Sequence, residues 1–255
     1  MKILVIGDSC IDRFVYCDID RLCPEAPVPV LNPIKITENP GMAGNVVENL
    51  KSLGVYVDLL TNDKKIIKTR YVDTKTGQMI MRLDESDSCE SFDIEKISKK
   101  YKYDAVIVSD YNKGFLTETD METICKIDCL TFLDSKRKFS NFKEGMWCHL
   151  FDFIKINSVE YEQNKKVIHS KKTPTELYNK CIITRGPRGC EYKNKIYPTT
   201  DVPVKDVSGA GDTFMAALVY EYIKSQDIDK AIEFSQKCTT NVVQKPGVAL
   251  ISKNI

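Results

Sequence analysis

Six short apolar runs rich in β-branched residues punctuate the chain: KILVIG at 2 to 7, VYVDLL at 55 to 60, AVIVSD at 105 to 110, LTFLD at 130 to 134, FIKIN at 153 to 157 and CIIT at 181 to 184. Each is strand-length and too short for a buried helix, and most are separated by stretches with helical spacing of apolar residues. Strands that are apolar along their whole length are buried on both faces, and their alternation with helices makes a largely parallel sheet with crossover helices. The fold class is therefore α/β. One helix is predicted after Gly44, with Val46, Val47, Leu50 and Leu53 inward and Gly54 as its stop. Another runs from about Gly211 to Ile223, with Phe214, Leu218 and Tyr222 on one stripe.

Two stretches depart from the alternation. CPEAPVPVLNPIKITEN, 23 to 39, carries four prolines and suits an edge strand or extended segment. TRYVDTKTGQMIMRLDESD, 69 to 87, alternates apolar and polar residues around the turn TKTG and reads as a hairpin. Together, over about 14–40 and 68–87, they are expected to form a small β lid. No repeat, low-complexity tract or linker divides the chain, so residues 1–255 are read as a single domain.

Lys and Arg total 37 against 36 for Asp and Glu, which leaves no global field to attract nucleic acid or a membrane surface. Any phosphate binding must be local. No apolar run reaches membrane-span length, and MKILVIGDSC meets a Gly and an Asp too early for a secretory signal, so a cytoplasmic location is expected. The ten cysteines form no CxxC pair and only His149 and His169 could assist them, which predicts free thiols rather than zinc ligands or disulfides.

Several strands end in a polar residue: Asp8 just past the first, then Asp110, Asp134, Asn157 and Thr184. Ligands of open α/β sheets bind beyond the carboxyl ends of the strands, so these residues are expected to converge on one crevice. Taken singly, each is equally a cap for the next helix or turn. In DVSGAGDTF, 206 to 214, Gly209 and Gly211 flank Ala210 at a predicted helix start, where backbone donors and the helix dipole favour an anion. An acid at that rim repels phosphate unless it is needed to take a proton from an attacking hydroxyl, which makes Asp212 a candidate general base. The competing reading is a capping acid beside a close helix contact.

DVSGAGD resembles the second signature of the ribokinase (PfkB) family of carbohydrate kinases, which usually reads DTxGAGD; Val207 replaces the common threonine. GDSCIDR at 7 to 13 resembles the family's opening strand with its sugar-binding acid on Asp12. NPGMAGNVVENLKSLG at 39 to 54 resembles the GGxxxN block, with Met42 in place of the second glycine. INSVE at 156 to 160 resembles the NxxE motif, and TRGPRG at 184 to 189 the TxGxxG nucleotide loop. The resemblance spans nearly the whole chain and implies a ribokinase-like three-layer α/β/α sandwich with a mostly parallel sheet and a small β lid. It also implies an enzyme that uses ATP and Mg²⁺.

Within this family PEAPVPV at 24 to 30, SDYNKG at 109 to 114 and RLD at 82 to 84 are most similar to the branch that phosphorylates D-glycero-D-manno-heptose 7-phosphate. The implied reaction gives a heptose 1,7-bisphosphate; a kinase of the same fold for another sugar, sugar phosphate or nucleoside, or a catalytically silent nucleotide- or sugar-binding relative, is the alternative that the same motifs leave open. Asp212 would be the base, with Gly209, Ala210 and Gly211 as the phosphoryl cradle. Asn157 and Glu160 would organise Mg²⁺ through its waters, although their spacing is equally that of a helix cap with a capping-box acid. Thr184, Gly186, Gly189, Lys136 and Gln236 would face the nucleotide. Asp12, Gly41 and Asn45 would face the sugar, and Lys113, with Arg13, Arg70 and Arg82 behind it, its phosphate.

The family implies a homodimer through the lid and small-molecule partners only. The stretch Lys64 to Ile67 joins Asp63 to the hairpin where the family usually inserts a helix and a strand, so a peripheral crossover unit is expected to be missing. A nucleotidyltransferase domain, present in some members of this branch, has no counterpart in the sequence, so activation to a nucleotide sugar is expected to need another protein.

Overall fold

The structure is a computed structural model that describes residues 1–92, 102–139, 147–170 and 176–252. In chain order the strands are β1 (Lys2–Gly7), β2 (Ser9–Asp18), β3 (Asn32–Met42), β4 (Tyr56–Leu60), β5 (Ile66–Asp73), β6 (Met79–Glu85), β7 (Ala105–Asp110), β8 (Leu130–Ser135), β9 (Phe153–Asn157), β10 (Cys181–Thr184), β11 (Cys190–Tyr192) and β12 (Lys195–Tyr197). The helices are α1 (Ala43–Ser52), α2 (Glu118–Ile124), α3 (Ser158–Ile168), α4 (Glu176–Lys180), α5 (Ala210–Ser225) and α6 (Ile228–Val242).

Eight strands form the main sheet in the order β12-β11-β10-β9-β8-β7-β1-β4. The pairs from β4 to β10 are parallel, and β11 and β12 add an antiparallel edge. Alternation along the strands explains the three layers. Ile3 and Val5 point to one face and pack with Val46, Leu50, Met215 and Leu218 of α1 and α5, together with Ala231 and Ile232 of α6. Leu4 and Ile6 point to the other and pack with Met121, Ile124, Trp147, Tyr161 and Ile168. Both faces are dry, which is why these strands read as unbroken apolar runs rather than alternating ones. Each fully buried aliphatic side chain contributes about 1.5–3 kcal/mol relative to exposure.

All six strands expected from those runs are present, and α1 buries Val46, Val47 and Leu50 before Gly54 ends it at φ 82°. On α5, Phe214 and Leu218 are buried and Tyr222 packs at the margin of the same core. The strand β4 is an edge of the main sheet, and the chain passes from it straight into β5. Tyr56 and Leu59 are exposed there, on the side where a further crossover unit would lie.

The remaining four strands make a second sheet, in the order β3-β2-β5-β6. It contains the expected hairpin, β5 with β6, and the proline-rich segment leads into β3 on its edge. It begins at Ser9, earlier than the segment starting near 14, because β2 enters it directly after β1. The register sets Cys10, Asp12 and Phe14 of β2 beside Ile66, Lys68 and Arg70 of β5, and Lys68 and Arg70 opposite Asp84 and Arg82 of β6. One face of the second sheet thus carries a band of charge.

Candidate active site

The helix α5 starts where Gly209 adopts φ 76°, a conformation that glycine takes without strain. A Cβ on Gly209 would lie 2.3 Å from Asn45 Nδ2, so this position needs glycine for space as well. Of the amides expected to form the cradle, that of Ala210 already donates to Val207 O at 3.2 Å, because the chain closes a tight turn before the helix. Thr213 N–H likewise donates to Gly209 O. Among the described residues, the amides of Gly211 and Asp212 are the first-turn donors left without a backbone acceptor.

Asp212 is buried in the first turn of α5. Tyr111 donates its hydroxyl to Oδ1 at 2.8 Å, and Asn45 Nδ2 donates to Oδ2 at 3.0 Å. Burial pushes the carboxyl up to about 6; the hydrogen bond from Asn45 opposes this, nearby Asp134 adds to it, and Tyr111 and Lys155 offset it. The same burial, together with Asp212, holds the Tyr111 phenol well above its ordinary value, so Tyr111 is a proton donor here.

Lys155, in the middle of β9, is buried and paired with Asp134 of β8 at 2.5 Å. A Cβ on Gly211 would lie 3.0 Å from its Nζ. The glycine therefore lets an ammonium lie directly under the cradle. Asp134 also faces Lys136 at 3.6 Å, and these two lysines hold its carboxyl below the usual range despite its burial.

Lys136 reaches Glu160 at 2.5 Å. Burial alone lowers its pKa, but Asp134 and Glu160 outweigh that and raise it. Asn157 caps α3 by accepting from Val159 and Glu160 N–H, and Glu160 accepts from the Asn157 amide N–H at 2.8 Å and from Asn157 Nδ2 at 2.7 Å. The capping box is thus present in full. Among the described residues no group of three or more His, Cys, Asp or Glu side chains gathers as a metal cage. Glu160 is one carboxylate that already faces a lysine, so the pair suits a hydrated Mg²⁺ held chiefly by nucleotide phosphates rather than direct coordination.

A cavity of about 270 Å³ lies on one side of the cradle. Thr184, Gly186, Gly189 and Gln236 line it together with Ala210 and Gly211, so these six sequence-predicted residues meet in one place. Pro187, Val204, Val207 and Val243 supply apolar walls. Gly189 at φ 82° has no room for a side chain, since a Cβ would meet Tyr197 O at 2.0 Å. Gln236 Nε2 donates to that same carbonyl at 2.7 Å.

On the other side of Asp212 lies the charged face of the second sheet. Asp12 pairs with Arg70 at 2.5 Å, and the Arg70 guanidinium stacks 5.2 Å from the Phe14 ring centre. A Cβ on Gly41 would strike Asp12 Oδ2 at 2.2 Å, which is why that position is glycine. Lys68 is buried and carries no ion pair among the described residues; its Nζ stands 5.6 Å over the Tyr111 ring. Burial lowers its pKa, and Lys113 and Arg82 push in the same direction. Cys10 packs with Met42, Ile66 and Tyr111 and has Asp12, Lys68, Arg70 and Asp212 all in electrostatic reach. The thiol is pushed up to about 12, chiefly by burial, and is inert as a nucleophile at neutral pH.

Several expected ligands are placed differently. Arg13 follows Asp12 on β2, so it faces the opposite side of the sheet, where it pairs with Glu38 at 2.7 Å. Arg82 shares the face of Arg70 but is held in a two-pronged bond by Asp84 at 2.7 and 2.8 Å. Lys113 pairs with Asp87 at 2.5 Å. Asn45 was expected to donate to a sugar, yet both its N–H donors are engaged, by Asp212 and by Gly209 O at 3.4 Å, because α1 packs against the start of α5. Met42 stands at φ 57° in front of α1, a backbone conformation that suits the glycine it replaces.

Among the strand-end acids, Asp8 is buried and accepts the N–H groups of Tyr111, Lys113 and Phe115, fixing that loop. Asp110 is likewise taken by Arg137 and Ser135. Sequence reasoning missed Tyr111, Lys68 and Lys155. The first lies inside the SDYNKG motif, from which only the lysine was taken, and the second alternates with Arg70 in register with Asp12.

Residues 71–254 match the pattern described as pfkB family carbohydrate kinase. The chain is 33% identical over 299 positions to the bifunctional protein HldE of Campylobacter jejuni (strain RM1221), covering 98% of this chain and 63% of that protein. It is also 33% identical to HldE of Helicobacter pylori (strain J99 / ATCC 700824), over 98% of this chain and 64% of the relative. The chain therefore spans somewhat under two thirds of these relatives. The 299 aligned positions exceed the 255 residues available, so the Campylobacter protein carries insertions that this chain lacks. In fold it is similar to Escherichia coli phosphofructokinase-2 in complex with substrates and products, with a TM-score of 0.74 at 13% identity, covering 100% of this chain and 96% of that one. Ribokinase from Thermotoga maritima gives 0.70 at 19%, covering 99% and 96%. The sheet order, the cradle at the start of α5 and these likenesses agree, and the chain belongs to the pfkB family of carbohydrate kinases.

Proposed function

We propose that the protein transfers the γ-phosphoryl group of ATP to the anomeric hydroxyl of D-glycero-D-manno-heptose 7-phosphate. The observation that carries this reading is the position of Asp212: a buried carboxylate next to Gly211, which lines the apolar-walled cavity, and bonded through Oδ1 to Tyr111, over whose ring stands Lys68 of the charged sheet face. In this reading the nucleotide occupies the cavity, with its ring between Pro187 and the valines and its phosphates towards Gly186, Gly189 and the cradle. The amides of Gly211 and Asp212 and the Lys155 ammonium face the charge that develops on the transferring phosphoryl group. Asp212 accepts the proton of the attacking hydroxyl, while Tyr111 and Asn45 hold the carboxylate in line. The hydroxyl oxygen bonds to phosphorus as the bond to the ADP oxygen breaks.

Mg²⁺, when bound, would neutralise phosphate charge beside Asn157 and Glu160, reached through water. Asp12 and Arg70 face the sugar hydroxyls. Lys68 is the cation best suited to the distal phosphate, since Lys113 and Arg82 already have partners. The second sheet then acts as a lid on the sugar. The choice of heptose rests on the likeness of PEAPVPV, SDYNKG and RLD to heptose 7-phosphate kinases and on the relation to HldE.

The test of this assignment is Asp212→Asn. It should bind ATP as the parent does and lose phosphoryl transfer by at least about 1,000-fold, as removal of a catalytic group does. Turnover near the parent rate would overturn it.

A further inference from the structure

A chain of buried amides leads away from Asp212. Asn45 Nδ2 donates to Asp212 Oδ2 at 3.0 Å. Asn45 Oδ1 in turn accepts from Asn49 Nδ2 at 3.0 Å, one helical turn further along α1. Asn49 Oδ1 accepts the backbone N–H of Ile251 at 3.1 Å, and Thr213 Oγ1 approaches it at 3.5 Å. Asn45, Asn49, Thr213 and Ile251 are all buried. Asn49 Nδ2 also donates to Asn45 O at 2.9 Å, so both sides of its amide are occupied and its orientation is fixed.

The consequence for Asn45 is geometric. An amide side chain can turn over about its last torsion, exchanging donor and acceptor at little cost. If Asn45 did so, its oxygen would face the Asp212 carboxylate and its N–H groups would face the N–H of Asn49. The Asn49 donor forbids that state, and the Ile251 N–H forbids the matching reversal of Asn49. Direction is thereby passed from the backbone of the C-terminal segment, through two amides, to one oxygen of the acid.

We infer that Asn49 is a positioning residue for Asp212, acting through Asn45 and anchored by the backbone of Ile251. The inference rests on the reading of Asp212 as the general base. Asn49 touches neither substrate nor nucleotide in this arrangement. Its loss changes how well the base is aimed and how strongly its ionised form is stabilised, not how substrates bind.

The experiment compares Asn49→Ala with the parent and with Asp212→Asn, using ATP, Mg²⁺ and whichever sugar phosphate the parent turns over. In Asn49→Ala, kcat should fall about 10- to 100-fold, the scale expected for a misaligned catalytic group, while both KM values stay within about two-fold. The acidic limb of its pH profile should move upward, because Asn45 loses the Asn49 donor that holds its oxygen and then donates less steadily to the carboxylate. If the alanine variant does not fold, Asn49→Ser gives a second test, since one short hydroxyl cannot bridge Asn45 Oδ1 and the Ile251 N–H at once as the Asn49 amide does.

A folded variant with unchanged kcat and an unmoved acidic limb overturns the inference. So does a raised sugar KM at constant kcat, which would assign Asn49 to binding. Turnover by Asp212→Asn would remove the base reading itself, whereas an inactive Asp212→Asn beside a normal Asn49→Ala removes only the relay.

Discussion

The Tyr111 hydroxyl and Oδ1 of Asp212 lie 2.8 Å apart, with the phenol donating to the carboxylate. Such a bond stabilises the ionised form of the acid, so its loss must raise the carboxyl further above its present value of about 6. In its proposed role as the base, Asp212 works only when ionised, and activity should fall as pH drops through that value. Tyr111→Phe should move the acidic limb of kcat upward by about one pH unit, corresponding to a charged hydrogen bond of about 1.5 kcal/mol. An unchanged limb would mean that the phenol does not bond to the working form of the acid.

Asp212 also weakens the fold. Its carboxyl rises from an ordinary 3.8 to about 6 in the folded protein, so the folded state binds the proton more tightly than the unfolded one. Stability is therefore lost as pH rises between those values, and the penalty is complete above about 6. Asp212→Asn should raise stability at pH 8 by up to about 3 kcal/mol, less whatever the amide loses in its bonds to Asn45 and Tyr111. Melting curves at pH 8 and pH 4 check this: the gain should be present at the higher pH and vanish at the lower.

Lys68 and Arg13 give a paired prediction on the sugar side. Lys68 faces Tyr111 without an ion pair among the described residues, whereas Arg13 points to the opposite face towards Glu38. Lys68→Met should raise KM for a phosphorylated sugar by about 10- to 100-fold, the loss of one charged contact of roughly 1.5–3 kcal/mol, and leave KM for ATP alone. Arg13→Ala should change neither. Steady-state kinetics with both substrates varied separates the two outcomes.

The ion pair of Lys155 with Asp134 is buried at both ends, with each side chain 2% exposed. Removing one partner strands the other, and Lys155→Met should cost about 3 kcal/mol, with Lys136 retaining part of the compensation for Asp134. Adding Asp134→Asn should restore much of that stability while activity stays low, because the cation under Gly211 is still missing. Chemical unfolding of the two single variants and the double variant measures the coupling.

The strands β1, β7, β8 and β10 of the main sheet were legible because burial on both faces leaves them nearly continuous apolar runs, and β4 and β9 keep that character despite Asp58 and Lys155. The strand β2 was not, since CIDRFVY places Asp12 and Arg13 within it, and a half-charged strand reads as a loop. The three-residue strands β11 and β12 are too short to show any period. Within the site, glycines and acids were visible because small residues beside a carboxylate are unusual in a helix start. Lys155 was invisible: nothing local in FIKIN indicates that its ammonium lies against Gly211, 56 residues later (211 − 155). The capping geometry of Asn157 and Glu160 followed from spacing alone, as expected for a purely local motif. The relay from Ile251 to Asn49 links residues far apart in the chain and could be seen only once they were folded together.

The proposed reaction is phosphoryl transfer to the anomeric oxygen of a phosphorylated heptose. Its most direct test is ³¹P NMR of reactions containing ATP, Mg²⁺ and, separately, D-glycero-D-manno-heptose 7-phosphate, fructose 6-phosphate, ribose and adenosine. ADP and a second sugar phosphate signal, coupled to the anomeric proton, should appear with the heptose, and far less product with the others. Efficient turnover of ribose or adenosine with none of the heptose, or no turnover of any of the four, would contradict it.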